Sequence, residues 1–412
     1  MSIDVKMAWR NIWRNPRRTI LTICAIAFAS LLLVFMLSFQ FGSYETMINT
    51  SVKIHTGHLQ IQADAYQTKK SMRLVVPNPV KIAGILDAMP NIEAYTFRGQ
   101  AFSLISSSER TYGGVVTGID PDHEAGVSRL KSLIRQGEFL SSDDMNQALV
   151  GKLLAKNLRV KTGDELTVIG QGRDGSIAAT VVKVKGIYSS GIDEFDRASI
   201  HIPLKTFQEV YTMQGAVHEV VVIADSLRNL DTLKRTIKAN LSSLNLKKPL
   251  TVLDWNELMP GLRQSIEMDL ISGLIFYLLL VLVVAFSILN TFLMAIFERT
   301  REFGVLMAIG TTPGRLTKVL LIESMSMTFV GIVAGIIVGS MITVYFQSHG
   351  IEISGASELL SQFGITGRMY PKLSLLSAVS GPLAVLIITF FAALYPALKV
   401  RRMRPVEAMR AA

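Results

Sequence analysis

The chain has 412 residues, half of them hydrophobic, with a mean hydropathy of +0.38, a net charge of +10 and one cysteine. That hydropathy is high for a soluble domain and low for a chain made only of membrane helices. A lone cysteine, Cys24, excludes an internal disulfide framework, and the basic excess does not require a nucleic-acid partner because it clusters where apolar runs end.

In chain order, residues 1–18 read as a cytoplasmic amphipathic helix. Lys6, Arg10, Arg14 and Arg17 share one arc of residues 5–17, and Val5, Trp9, Ile12 and Trp13 share the neighbouring arc. Indole rings favour the headgroup level and basic residues favour anionic lipid, so this helix is expected to lie on the inner leaflet; a plain topogenic flank explains the charges equally well. Pro16 then turns the chain into the first apolar span at 19–42. That span is too long for the apolar core of a signal peptide and carries no small-residue cleavage site, so cleavage is not expected.

Residues 43–270 form a polar stretch with the pattern of a folded α+β domain. A period-2 pattern from Val52 to Gln62 predicts a strand, and further strands are predicted at 101–106, 112–119, 166–170, 177–187, 198–202, 217–224 and 250–254. Helices are predicted at 80–89, 147–158, 204–212 and 227–243, without regular βαβ alternation. Residues 135–170 look like a subdomain, with Gly137-Glu-Phe-Leu, a helix from Asn146 to Asn157, and Thr162-Gly-Asp turning into a strand. Residues 256–270 read as a stalk helix entering the second span, with Pro260-Gly261 as its one point of weakness.

Three more spans crowd the C-terminal third, at 271–297, 316–345 and 373–396. Each of the four is about as long as the ~20 residues that cross a bilayer as a helix. The layout is therefore 1+3, an α-helical membrane protein holding one large domain outside the bilayer. Basic clusters at Lys6–Arg18, Arg299–Lys318 and Lys399–Arg410 fall on one side if each span crosses once. This predicts both termini and the loop 298–315 in the cytoplasm, the domain outside, an outer return loop at 346–372 and a cytoplasmic tail at 397–412. Gly331, Gly335 and Gly339 make a small-residue ladder in the third span for close approach of a helix from this chain or a second subunit. Gly381-Pro382 predicts a kink, and Asn290 an interhelical hydrogen bond.

Catalytic chemistry is not legible. No phosphate loop, metal-ligand cluster or nucleophile elbow occurs, so no catalytic residue and no metal is expected. His55 and His58 read as ordinary polar positions on opposite faces of one strand. The spans are nearly free of ionisable groups, which disfavours an ion-driven pump and places the energy source in another protein. The loop after the second span is less bland. Its charged head, Glu298-Arg-Thr-Arg-Glu302, predicts a helical turn; Phe303, Leu306 and Met307 share one face; Gly310 ends the helix; Thr312 and Pro313 start the next one.

The run Glu298-Arg-x-Arg-Glu-Phe-Gly-Val-Leu-x-Ala-Ile-Gly310 resembles the signature of the FtsX-like permeases, the MacB/LolC/LolE group of ABC transporters. The ending Tyr395-Pro-Ala through Pro405-Val-Glu-Ala-Met-Arg410, and residues 135–168, resemble the family's tail and its MacB-type periplasmic core. The resemblance implies a permease subunit without its own ATPase, seated in the inner membrane. Its partners would be two copies of a cytoplasmic ABC ATPase that bind ATP and Mg, and a second permease chain, the same or paralogous. It also implies that Glu298, Arg299, Arg301, Glu302, Phe303 and Gly304 contact the ATPase, with Gly310 shaping the loop. Within the family three functions are open. One is extraction of lipoproteins or another lipidated substrate, with a periplasmic carrier; another is FtsX-like control of a cell-wall hydrolase; the third is MacB-like export with a periplasmic adaptor. For the first, Phe35, Met36, Phe39, Phe276 and Tyr277 are the candidate acyl-chain cleft, and lipid-facing packing is the competing explanation for each.

Overall fold

The computed structural model describes residues 3–244, 248–352 and 368–401. The parts of the expected return loop at 353–367 and of the tail at 402–412 lie outside them. The chain divides into two units: one holds the residues up to Tyr44, Ile266–Glu352 and those from Arg368 onward, the other Glu45–Ser265.

The first unit is helical. Among the described residues, four helices are long and apolar enough to cross a membrane: Pro16–Ser51, Pro260–Glu298, Pro313–His349 and Leu375–Arg401. Pro16 and Pro313 open their helices, where a missing N–H costs nothing. The N-terminal helix, Ile3–Ile12, ends sooner than its amphipathic pattern suggested, because a turn at 13–15 precedes Pro16. Trp9 and Trp13 are exposed and meet edge to face, with ring centroids 6.2 Å apart. The glycine ladder receives the first span helix of the same chain. A methyl group at Gly331 would lie 2.8 Å from Ile26 Cβ, at Gly335 2.5 Å from the Ala27 carbonyl oxygen, and at Gly339 3.1 Å from Leu31 Cα. The stalk and second span form one helix from Pro260, preceded by a short turn, Trp255–Leu258, that Asp254 and Glu257 close as a capping box. Asn290 is exposed, and the interhelical hydrogen bond expected of it is not formed among the described residues.

The second unit is built on a ten-stranded mixed sheet. In chain order the strands are β1 (Leu59–Ala63), β2 (Val76–Pro77), β3 (Ile92–Ser106), β4 (Thr111–Ile119), β5 (Ile134–Gly137), β6 (Gln147–Gly151), β7 (Glu165–Gln171), β8 (Ile177–Tyr188), β9 (Ser199–Pro203), β10 (Ala216–Val217), β11 (Glu219–Ala224) and β12 (Leu250–Asp254). The sheet runs β12-β1-β11-β3-β4-β9-β6-β8-β5, with β7 bridging β3 and β8, while β2 and β10 pair separately. Only β4 with β9 and β6 with β8 are parallel within this sheet. Two cores result. One gathers Ile105, Val116, Val150, Leu154, Val182 and Phe207; the other gathers Leu59, Ile61, Ile82, Val222 and Val252 under the helix Leu230–Ser242. That helix buries Leu230, Leu233, Ile237 and Leu241, a single stripe at helical spacing.

Two expected elements differ. The strand expected from Val52 begins only at Leu59, because residues 52–56 form a π-helical turn that extends the first long helix. His55 and His58 are therefore not opposite faces of one strand; both are held in polar networks. The helix expected from 147 begins at Lys152, because Gln147–Gly151 is an inner strand, paired along its length with β8 and at Leu149 and Val150 with β9, whose apolar run, Ala148 to Val150, is buried. A short apolar run of this kind fits either structure.

Candidate functional site

The segment between the second and third spans forms a separate helix, Thr300–Ala308, closed by Gly310 at φ +103°, a backbone conformation that glycine adopts freely. Its two faces differ in chemistry. Inward, Phe303 (2% exposed) and Met307 pack with Ile296, Leu316 and Val400. Gly304 is buried beside them, and the Arg299 guanidinium lies over the Phe303 ring at 5.3 Å. Outward lie Arg301, Val305, Ala308 and Ile309, spaced i, i+4, i+7 and i+8, with Ile309 at 78% exposure. Arg301 has no ion-pair partner among the described residues.

The inward face is pinned by charge. Arg14 grips Glu302 with both terminal nitrogens, at 2.9 and 2.5 Å, and Arg18 donates to Glu298 at 2.8 Å. The Arg14 hydrogen bond holds the Glu302 carboxyl below the usual carboxylate range, against a smaller opposing effect of burial. Arg299 bridges Glu302 and Glu323, both at 3.3 Å, and the latter carboxylate is nearly buried on the third long helix. Arg315 and Lys318 close the set on Asp4 of the N-terminal helix, at 2.9 and 3.8 Å.

The residues expected to contact an ATPase therefore divide. Arg301 alone among them is outward and without an ion pair to the described residues. Glu298 and Glu302 are partly exposed but engaged, and Arg299, Phe303 and Gly304 are turned into the helical unit. Glu323 was missed by the sequence reading; a carboxylate inside an apolar helix 24 residues beyond Arg299 was the available signal.

The residues of the expected acyl cleft also divide. Phe35 stacks on Phe39 and meets Phe346 of the third long helix at 6.0 Å, and Tyr277 donates to Gln40 at 2.6 Å. Met36 and Phe276 are exposed. The open groove between the first and second long helices lies further along them, about 410 Å³, walled by Ala25, Phe28, Ala29 and Leu32 on one side and by Leu280, Val283 and Ser287 on the other. Small Ala25 and Ala29 create it by leaving room where larger side chains would fill the seam.

The second unit holds a buried polar cluster that sequence reasoning did not detect. Arg98 donates to Glu124 from Nε at 3.0 Å and from a terminal nitrogen at 2.5 Å, both residues being almost wholly buried. Arg98 also reaches the His55 carbonyl and its Nδ1, and Gln100 links His55 to Glu219 at 3.1 and 3.0 Å. Burial works against Glu124 ionisation, but the Arg98 charge and hydrogen bond together hold its carboxyl below the ordinary value. His201 Nδ1 has no hydrogen-bond partner among the described residues, and burial lowers this imidazole to about 3. A satisfied ion pair of this kind fixes one arrangement of the strands around it.

Four long apolar helices, a mixed α/β domain inserted after the first, and a short pinned helix between the second and third define a membrane permease of the 1+3 type. The family description "FtsX-like permease C-terminal" matches residues 274–405, and "MacB-like periplasmic core domain" matches residues 19–240. The chain belongs to this family of ABC transporter permeases. It is 24% identical over 363 residues to the lipoprotein-releasing system transmembrane protein LolC of Xylella fastidiosa, covering 84% of this chain and 82% of that protein. It is 23% identical over 321 residues to LolE of Haemophilus influenzae, covering 74% of each. A crystal structure of the periplasmic region of MacB from Actinobacillus actinomycetemcomitans aligns with a TM-score of 0.38 at 16% identity, over 52% of this chain and 94% of that one.

Proposed function

We propose that this chain is the permease subunit of an inner-membrane ABC transporter that extracts lipoproteins or another lipidated substrate from the bilayer. A separate ATPase binds ATP and Mg in the cytoplasm, in two copies, and its closure moves the helix Thr300–Ala308. Both termini and that helix face the cytoplasm, as the placement of the basic clusters supports. A second permease chain, identical or paralogous, completes the complex. The exposed Asn290 supports this, because a polar group at membrane depth gains from a partner helix. The relatives named for lipoprotein release support the substrate class, and the apolar groove beside Phe28 and Leu280 suits an acyl chain.

The observation that carries the reading is the outward face of Thr300–Ala308: an unpaired arginine heading an apolar stripe, on a helix fixed from behind. Arg301→Glu leaves every internal ion pair intact and reverses the one charge of that helix without an ion-pair partner among the described residues. Breaking a charge contact across an interface costs roughly 2–5 kcal/mol. ATPase association and cargo release should therefore fall by at least about thirtyfold while the permease stays folded. Retained coupling in that variant would remove the interface. Mild purification followed by mass spectrometry decides the substrate. Acylated proteins retained with the ATPase support extraction, whereas a wall hydrolase or a periplasmic adaptor moves the reading to signalling or export.

A further inference from the structure

The surface beside the N-terminal helix is organised in a way that ATPase coupling does not use. Helix Pro313–His349 leaves one stripe only partly covered, Lys318, Leu321, Ile322, Met325 and Phe329, and with Trp9 and Val5 it walls a groove of about 530 Å³. From Lys318 to Phe329 the stripe runs about 16 Å at 1.5 Å per residue. That is the depth of one leaflet, about half of a ~30 Å hydrocarbon core. Its ends differ: a cation stands at the end beside the N-terminal helix and an exposed phenyl ring at the other. Trp9 lines this groove and also a second hollow, walled by Lys6, Arg10 and Trp13. Around this point Arg315 and Lys318 share one carboxylate, Asp4, while Lys6 and Arg10 stand on a different arc of the N-terminal helix. Lys6 and Arg10 have no ion-pair partner among the described residues.

We infer that this groove is a binding site for one anionic phospholipid of the leaflet that the N-terminal helix faces. An acyl chain lies along Leu321, Ile322, Met325 and Phe329, and the phosphate sits at Lys318, with the Trp9 indole at the glycerol level and the charges of Lys6 and Arg10 beyond it adding to the positive field. Three observations converge: the groove's length, the cation at its headgroup end and the surplus of positive charge there. A zwitterionic lipid fits the apolar part equally well but leaves that surplus unpaired. The site is distinct from the groove between the first and second long helices, so it does not depend on the substrate proposed above.

The test uses the full chain in nanodiscs of phosphatidylcholine, with a minor fraction of either brominated phosphatidylglycerol or brominated phosphatidylcholine of the same chains. Trp13→Phe and Trp255→Phe leave Trp9 as the fluorophore. Phosphatidylglycerol should quench Trp9 at about fivefold lower mole fraction, the order expected for one cation near an anionic lipid. The triple variant Lys6→Gln, Arg10→Gln, Lys318→Gln should abolish the preference while leaving quenching by phosphatidylcholine unchanged. Equal quenching by the two lipids in the protein with its cations intact overturns the site. So does a preference that survives the triple variant. Native mass spectrometry of the unaltered chain from mixed-lipid nanodiscs gives a second reading free of any substitution, and equal retention of both lipids there would also refute it.

Discussion

Replacing Gly335 with alanine tests the packing that holds the first and third long helices together. The new methyl group would lie 2.5 Å from the Ala27 carbonyl oxygen and 2.6 Å from Ser30 Cβ, where ordinary contact begins near 3.4 Å. The obstructing oxygen is backbone and cannot rotate away, so the helices must part by about 1 Å or bend, and overpacking of this order costs roughly 1–3 kcal/mol. At Gly331 the nearest atoms belong to the Ile26 side chain at 2.8 Å, and at Gly339 the closest approach is 3.1 Å, so the cost should fall in that order. Gly314 has nothing within 4 Å and serves as the neutral control, with an effect below about 0.5 kcal/mol. Thermal unfolding of the four detergent-solubilised variants gives the ranking directly. If Gly335→Ala melts with Gly314→Ala, the ladder does not carry the first long helix, and its partner must be sought in another subunit.

Two further outcomes follow from buried charge. Glu323→Ala leaves the Arg299 guanidinium nearly buried without its deeper partner and should destabilise the helical unit by about 3–5 kcal/mol, whereas an Arg299→Met, Glu323→Leu double variant should recover most of that loss. Glu302→Ala, on a pair exposed at both ends, should cost below about 1 kcal/mol in the same melting assay. In the α+β domain, burial holds His58 and His218 at about 4 and His201 at about 3, so all three are neutral in the fold at neutral pH. Below about 6.5 the unfolded chain takes up protons that the fold refuses. Stability is therefore full above that pH and falls as pH drops towards 4, with a slope of up to about 4 kcal/mol per pH unit from three histidines. Loss of the ionised Glu124 adds to the fall at lower pH, and Glu219, raised by burial, offsets part of it. Domain melting that is flat between pH 7 and 4.5 would contradict the neutral buried state.

Legibility followed the range of the forces involved. The four long helices, the small-residue ladder and the Gly310 terminus depend on local pattern, and residues 271–297 or 313–349 state their own structure. The first strand misled because Val52-Lys-Ile-His-Thr alternates like a strand, yet it completes the preceding helix as a π turn, with Gly57 closing it. The first half of β3 escaped detection because Arg98, Gly99 and Gln100 look like loop residues; they are tolerated there only because Glu124, His55 and Glu219 satisfy them. No spacing rule connects Arg98 with Glu124, or Arg14 with Glu302 across 288 positions, so both clusters become visible only in three dimensions.

The same distinction decides which residues of the loop after the second span can act. The motif presents five charged or aromatic side chains within six positions, and the sequence treats Glu298, Arg299, Arg301, Glu302 and Phe303 alike. Once the helix forms, Arg299 and Phe303 must face inward together, four residues apart, and the carboxylates meet Arg14 and Arg18. A helix held only by apolar contact could roll under load. Here Glu302 ties it to Arg14 in the turn that leads into the first long helix, and Arg299 at its start ties it to Glu323 of the third, so a push on Arg301 or Ile309 must displace those neighbours as well. On the coupling proposed above, the outward face would be free to fit a partner, while the inward charges would set how stiffly that partner's movement is passed on. Substitutions should separate accordingly: those at Arg301 and Ile309 should change partner affinity, and those at Arg299 and Glu323 should change the work done per cycle with affinity preserved.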